Sequence, residues 1–188
     1  LANPLQLAIM AARIASGRNI VPSLLPNKNK RLPQSLEIST EHLAFVRSAM
    51  GDVVSEIGTA RRAALPIPDV KMGGKTGTAQ VRRITMAERA GGVRSNASLP
   101  WKFRDHGLFV AFAPVENPRY AISVVVEQGG GSGSAYPIAR DGMTFLYEQE
   151  IAMDALLKLE ADWGGDIEER MAKRLAEYKA FKTVTATD

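Results

Sequence analysis

The stretch Met72–Val81, MGGKTGTAQV, places one lysine, two threonines and three glycines within ten positions. That density of polar and glycine residues does not describe a plain core strand. A phosphate-binding loop is one reading of Gly-Lys-Thr. It needs a glycine five positions before Gly74, where Asp69 stands, and a carboxylate suits an anion-binding nest poorly. Pro66 and Pro68 also argue against a clean strand leading into such a loop. The physics fits an edge strand beside an acyl-transfer site better. Lys75 supplies positive charge for a substrate carboxylate and for proton handling near a serine, and Thr76 and Thr78 supply hydroxyl donors. Gly77 lets a ligand approach the backbone, and a main-chain N–H just beyond it can form half of an oxyanion hole. On those three letters alone, an exposed edge strand with glycines at its bends is the better description.

Composition narrows the classes. The chain has 188 residues, 45% apolar and 23% charged, which is globular and long enough for a sizeable core. It has no cysteine, so no disulfide framework, thiolate metal site or thiol nucleophile. His42 and His106 stand alone, which predicts no metal site. A net charge of +4 gives no argument for nucleic acid. The sequence opens at Leu1 without a signal-like segment, and no apolar run approaches the ~20 residues that span a bilayer. The expectation is a fragment whose upstream part carries any targeting segment.

Working outward from the motif, Asn3-Pro4 reads as an N-cap with proline at the first helical position. LQLAIMAARIA behind it predicts a helix buried on nearly all sides, stopping at Gly17. Pro22, Pro26 and Pro33 predict extended chain and turns. Ser39 or Thr40 then caps a second helix with Leu43, Val46, Met50, Val53, Val54 and Ile57 on its inner face and Gly58 near its end. A basic, polar connection runs from Arg82 to Asp105. HGLFVAFAP and RYAISVVVEQ then read as two strands joined at Asn117-Pro118. GGGSGS (Gly129–Ser134) fits no dinucleotide-binding register, since Ser134 and Tyr136 occupy the required glycine positions; it reads as a strand–helix connection, with a helix from about Pro137. Glu148–Asp188 holds 10 acidic and 6 basic residues, against a basic surplus before it. There Trp163-Gly164-Gly165 is a break, and Ile167, Met171, Leu175 and Tyr178 form a stripe for packing on the domain or a partner. The domain reading is 1–147 for the main body and 148–188 for a helical tail.

Together NPLQLAIMAARIASG, GGKTGTAQV and HGLFVAFAPVENPRYAISVVVEQGGGSGSAYPIARD, in this order and spacing, closely resemble the C-terminal half of the class B penicillin-binding proteins, most of all those of cell elongation. Lys-Thr-Gly is the third signature of that family. The resemblance covers about residues 1–147. It implies an α+β fold, an antiparallel sheet flanked by helices, and a peptidoglycan D,D-transpeptidase that also binds β-lactams. It implies roles for Lys75 and Thr78 in catalysis and for Thr76, Gly77 and Thr78 in holding the terminal carboxylate of the donor peptide, with the Thr78 N–H in the oxyanion hole and the Gly129–Ser134 loop at the cleft. No cofactor and no nucleic acid are implied. The implied partners are peptidoglycan stem peptides and a membrane glycosyltransferase, and the implied place is the periplasmic face of the bacterial inner membrane, through an upstream anchor. His106, Phe109 and Phe112 read as packing residues of a strand. The charge of the Arg82–Asp105 run suits either a solvated loop or a surface attracting carboxylate-bearing substrate.

The family also needs S-x-x-K and S-x-N. No serine here has lysine three positions on or asparagine two positions on, so the nucleophile is expected upstream of Leu1. The same expectation places there a strand that pairs the open edge of RYAISVVVEQ. Two rivals keep the fold: a β-lactamase-related hydrolase fragment, and a non-catalytic interaction domain.

Overall fold

The computed structural model describes residues 2–25 and 32–185; the turn expected at Pro26 lies outside them. Helix α1 spans Pro4–Ser16 and α2 Thr40–Asp52; strand β1 is Gly73–Ala79, helix α3 Met86–Gly91, strands β2 and β3 His106–Ala113 and Tyr120–Val126. Helices α4 (Tyr136–Tyr147), α5 (Gln149–Asp162) and α6 (Ile167–Thr185) follow. Two compact units result, 1–144 and 145–188, dividing within α4.

Local chemistry sets the helix ends. Asn3 and Gln6 form a reciprocal capping box, each side chain accepting from the other's main-chain N–H at 2.9 Å. Gly17 closes α1 in the left-handed region, its N–H donating to the Arg13 carbonyl at 2.8 Å. Ser39 Oγ accepts from the His42 N–H and caps α2.

The sheet is antiparallel, ordered β1-β2-β3. Central β2 carries Phe109, Ala111, Phe112 and Ala113 with no exposed surface. Side chains alternate between the two faces. On one face Phe112 and Ala121 pack with Ala15 and Ile14 of α1 and Met50 of α2. On the other, the Tyr136 ring of α4 meets Phe109 edge-on, centroids 6.1 Å apart, and Gly142 of α4 faces Ile122.

Two packing expectations need correction. Helix α1 is covered on one side only: Ala11 and Ala15 are buried, while Leu5 and Met10 are exposed. A helix lying on a sheet hides one stripe, whatever its composition. Helix α2 ends at Asp52, so Ile57 is off the helix and fully exposed, and Val46 is exposed too; Leu43, Met50 and Val54 are the buried members. In the second unit, Trp163 leads into Gly164 and Gly165, both at positive φ, and Arg170 lies over the indole ring at 4.9 Å. The stripe Ile167, Met171, Leu175 and Tyr178 is exposed throughout. Among the described residues no helix is long and apolar enough to cross a membrane.

Among the described residues strand β3 pairs only with β2, and every one of its residues is partly exposed. Ser123 Oγ, buried on the α1 side, has no hydrogen-bond partner among the described residues, a defect that typically costs about 1–3 kcal/mol. An apolar edge of this kind templates association. The isolated chain is therefore expected to self-associate or open at this strand, and to be rescued by the preceding half of the family fold supplied in trans. Sedimentation with amide hydrogen exchange checks this: a monodisperse monomer with every amide from Ala121 to Val126 strongly protected would refute it.

Candidate active site

The motif strand β1 lies at the opposite edge of the sheet. An edge position tolerates its polar side chains because one side of the strand is open. Its register sets Lys75 opposite Val110, Thr76 opposite Phe109, Gly77 opposite Leu108 and Thr78 opposite Gly107. Alternation then divides the candidate residues. Lys75 and Gly77 share the face covered by α1 and α2; Thr76 and Thr78 share the face of α4. The Lys75 ammonium bends around the edge to donate to the Thr76 carbonyl at 2.9 Å and to Thr76 Oγ1 at 3.5 Å. The cation thus meets the Thr76 hydroxyl at the strand's open rim.

Two glycines make this arrangement possible. A β-carbon on Gly74 would strike the Phe109 ring and lie 3.0 Å from the Val110 carbonyl oxygen. The bare backbone admits the fully buried Phe109 beneath the motif. Across from Thr78, a β-carbon on Gly107 would collide with the Gly131 carbonyl and Ser134 Oγ. The glycine-rich loop therefore lies directly on β2, and a β-carbon on Gly131 would sit 3.9 Å from Thr78 Oγ1. The loop is shaped from within by a bond from Ser134 Oγ to the Gly131 carbonyl at 2.8 Å.

A polar staple ties this loop to the β1–β2 connection. The Asp105 N–H donates to Asn96 Oδ1 at 2.8 Å, and Asn96 Nδ2 donates back to Asp105 Oδ2 at 3.1 Å. Asp105 Oδ1 accepts from the Val81 N–H at the exit of β1, and the Gly130 N–H donates to the Asp105 carbonyl at 2.8 Å. His106 Nδ1 accepts from the Gln128 N–H at 2.9 Å, a structural use of that imidazole. None of these contacts has a periodic sequence signal.

The basic connection is also more ordered than its composition suggests. Thr85 Oγ1 accepts from the Glu88 N–H and starts α3. The pattern Thr85-Met-Ala-Glu88 is a readable helix start that a reading by charge passes over. Arg82 and Glu88 form a two-pronged pair, both bonds 2.6 Å. The bond from Arg82, foremost, with the Arg94 N–H and nearby guanidinium charge, holds the Glu88 carboxyl down at about 2, against the cost of desolvation. Much of the positive charge near Arg82 is thus neutralised locally. Among the described residues no cluster of His, Asp or Glu side chains is placed to hold a metal ion.

The described residues thus set a Lys-Thr-Gly-Thr strand at the edge of an antiparallel sheet, with helices on both faces and a glycine-rich loop beside it. The sequence model of the penicillin-binding protein transpeptidase domain matches residues 1–144, and the chain belongs to that family. It is 36% identical over 150 residues to the peptidoglycan D,D-transpeptidase MrdA of Acinetobacter baumannii, covering 74% of this chain and 21% of that protein. The Haemophilus influenzae MrdA is 33% identical over 119 residues, covering 61% of this chain and 18% of that one. Among solved structures, the transpeptidase domain of Burkholderia pseudomallei penicillin-binding protein 3 superposes with a TM-score of 0.56 at 26% identity, over 74% of this chain and 40% of that one. Helicobacter pylori PBP2, solved in complex with MreC, gives 0.54 at 28%, over 69% and 22%. The chain spans about a fifth of the length of these MrdA relatives. The α+β fold expected from the resemblance is the one found.

Proposed function

We propose that this chain forms the C-terminal wall of the active site of a peptidoglycan D,D-transpeptidase. The observation that carries the reading is the contact of the Lys75 ammonium with Thr76 at the open rim of β1, with the glycine-rich loop against Thr78 on the same strand. In this reading Lys75, Thr76 and Thr78 hold the donor's terminal carboxylate, and Gly77 leaves the backbone bare for the peptide to lie along the strand. The Thr78 N–H shares the oxyanion hole with the N–H of a serine supplied by an S-x-x-K segment outside this sequence. That serine attacks the penultimate carbonyl of the stem peptide, and its proton passes to the departing D-alanine. A second stem-peptide amine then forms the C–N bond as the ester C–O bond breaks, its proton returning to the serine oxygen. A β-lactam carboxylate would occupy the same contacts and leave a stable acyl-enzyme. No cofactor enters. The enzyme would work on the periplasmic face of the inner membrane, through an anchor outside these residues, with a membrane glycosyltransferase as partner.

The test is a fluorescent penicillin followed by a denaturing gel. The full-length protein is expected to carry a stoichiometric label and this chain alone none. A labelled band from the chain alone would overturn the placement of the nucleophile; an unlabelled full-length protein would favour a non-catalytic domain of the same fold.

A further inference from the structure

Arginines in this chain mostly have visible work. Arg82 pairs with Glu88, Arg140 with Asp141, and the Arg13, Arg18 and Arg47 side chains donate to main-chain carbonyls that close the loops around α1 and α2. Arg104 shares the one-bond pattern of Arg13 and Arg47 but lines a groove. It is half-buried, and its Nε donates to the Leu99 carbonyl at 3.0 Å, which fixes the plane of the guanidinium. Its two terminal nitrogens have no partner among the described residues. The adjacent carboxylate does not pair with it: the Asp105 oxygens accept instead from the Val81 N–H and Asn96 Nδ2.

Arg104 lines a groove of about 380 Å³ between the Asn96 turn and the glycine-rich loop. Gly129, Gly130 and Gly131 form its opposite wall, so a bound chain can approach main-chain atoms without meeting side chains. Gly131 is the residue that borders Thr78. The groove is therefore next to the proposed terminal-carboxylate site and separate from it. A planar guanidinium held by its Nε, with both terminal nitrogens left, suits a carboxylate engaged by two parallel N–H bonds. Partial burial strengthens that contact over a solvated one.

We propose that this groove is a second carboxylate subsite, in which Arg104 binds an acidic group of a stem peptide other than the donor's C-terminus. The proposal rests on the transpeptidase reading. The acidic group has two possible sources, a side chain of the donor or the carboxylate beside the amine of the acceptor, and the experiment separates them.

The full-length enzyme is compared with Arg104→Gln and Arg104→Lys. In the acceptor arm, acyl-enzyme formed from a thioester donor partitions between water and either D-alanine or D-alaninamide. In the donor arm, acylation is followed with a peptide thioester whose acidic side chain is free or amidated. Ratios of variant to wild type within each probe cancel the intrinsic reactivity of the amines. Arg104→Gln is expected to lower kcat/KM for the carboxylate probe of one arm about ten- to a hundredfold, and for its amide less than about twofold. Arg104→Lys should recover part of the loss, since it keeps the charge and loses the fork. Equal losses on acid and amide, or no loss in either arm, would overturn the subsite. A wild-type enzyme that forms no acyl-enzyme at all would overturn the transpeptidase reading, and the subsite with it, before any variant is compared.

Discussion

If the proposed function holds, replacing Lys75 with alanine in the full-length protein is expected to slow acylation by a β-lactam by about 10²–10³-fold, the usual cost of losing a donor aimed at developing charge. The fold should survive the change. The Lys75 side chain is exposed at the rim of an edge strand, and its only bonds are to the neighbouring Thr76. Removing it leaves no buried group unsatisfied, and surface substitutions of that kind usually stay within about 0.5 kcal/mol. Stopped-flow acylation and a thermal melt on the same sample separate the two effects. Wild-type acylation by a folded Lys75→Ala protein would remove Lys75 from the site.

The second large effect is expected at Gly107, which touches no substrate. It is buried in β2 opposite Thr78, and the Gly131 carbonyl and Ser134 Oγ press against it. Gly107→Val forces the glycine-rich loop away from the sheet. Overpacking of this kind typically costs about 1–3 kcal/mol. Displacing a cleft wall by about 1 Å can cost about 10²-fold in rate. Gly91→Ala is the control, since a β-carbon there meets nothing within 4 Å. If Gly107→Val acylated and melted like the wild type, the loop would not border the reacting groups, and the groove lined by Arg104 would lose its place beside Thr78.

The sequence by itself determined the pieces whose causes are local. Asn3-Pro4 and Gly17 mark the ends of α1 because capping uses side-chain and backbone groups within one turn. HGLFVAFA and YAISVVV are strands because runs so rich in apolar, β-branched and aromatic residues need cover on their faces and a partner along the edge. Lys-Thr-Gly-Thr states in its residue types a charge, two hydroxyls and a bare backbone; the acyl-transfer role proposed for it rests on the family resemblance as well.

What only the tertiary structure decided depends on contacts between residues far apart in the chain. The reading assigned the motif glycines to bends and ligand approach; Gly74 also makes room for Phe109, and that ring is assigned by strand register. The Arg82–Asp105 run has the composition of a field of charge; the fold pairs Arg82 with Glu88, commits Asp105 to Asn96 and the glycine-rich loop, and leaves the terminal nitrogens of Arg104 without a partner among the described residues. Helix α1, apolar nearly all round, is covered on one side because only one side meets the sheet. Propensity and capping act over three or four residues, so a sequence states them directly. Pairing and burial depend on which distant groups arrive at the same place, and that is settled when the sheet closes.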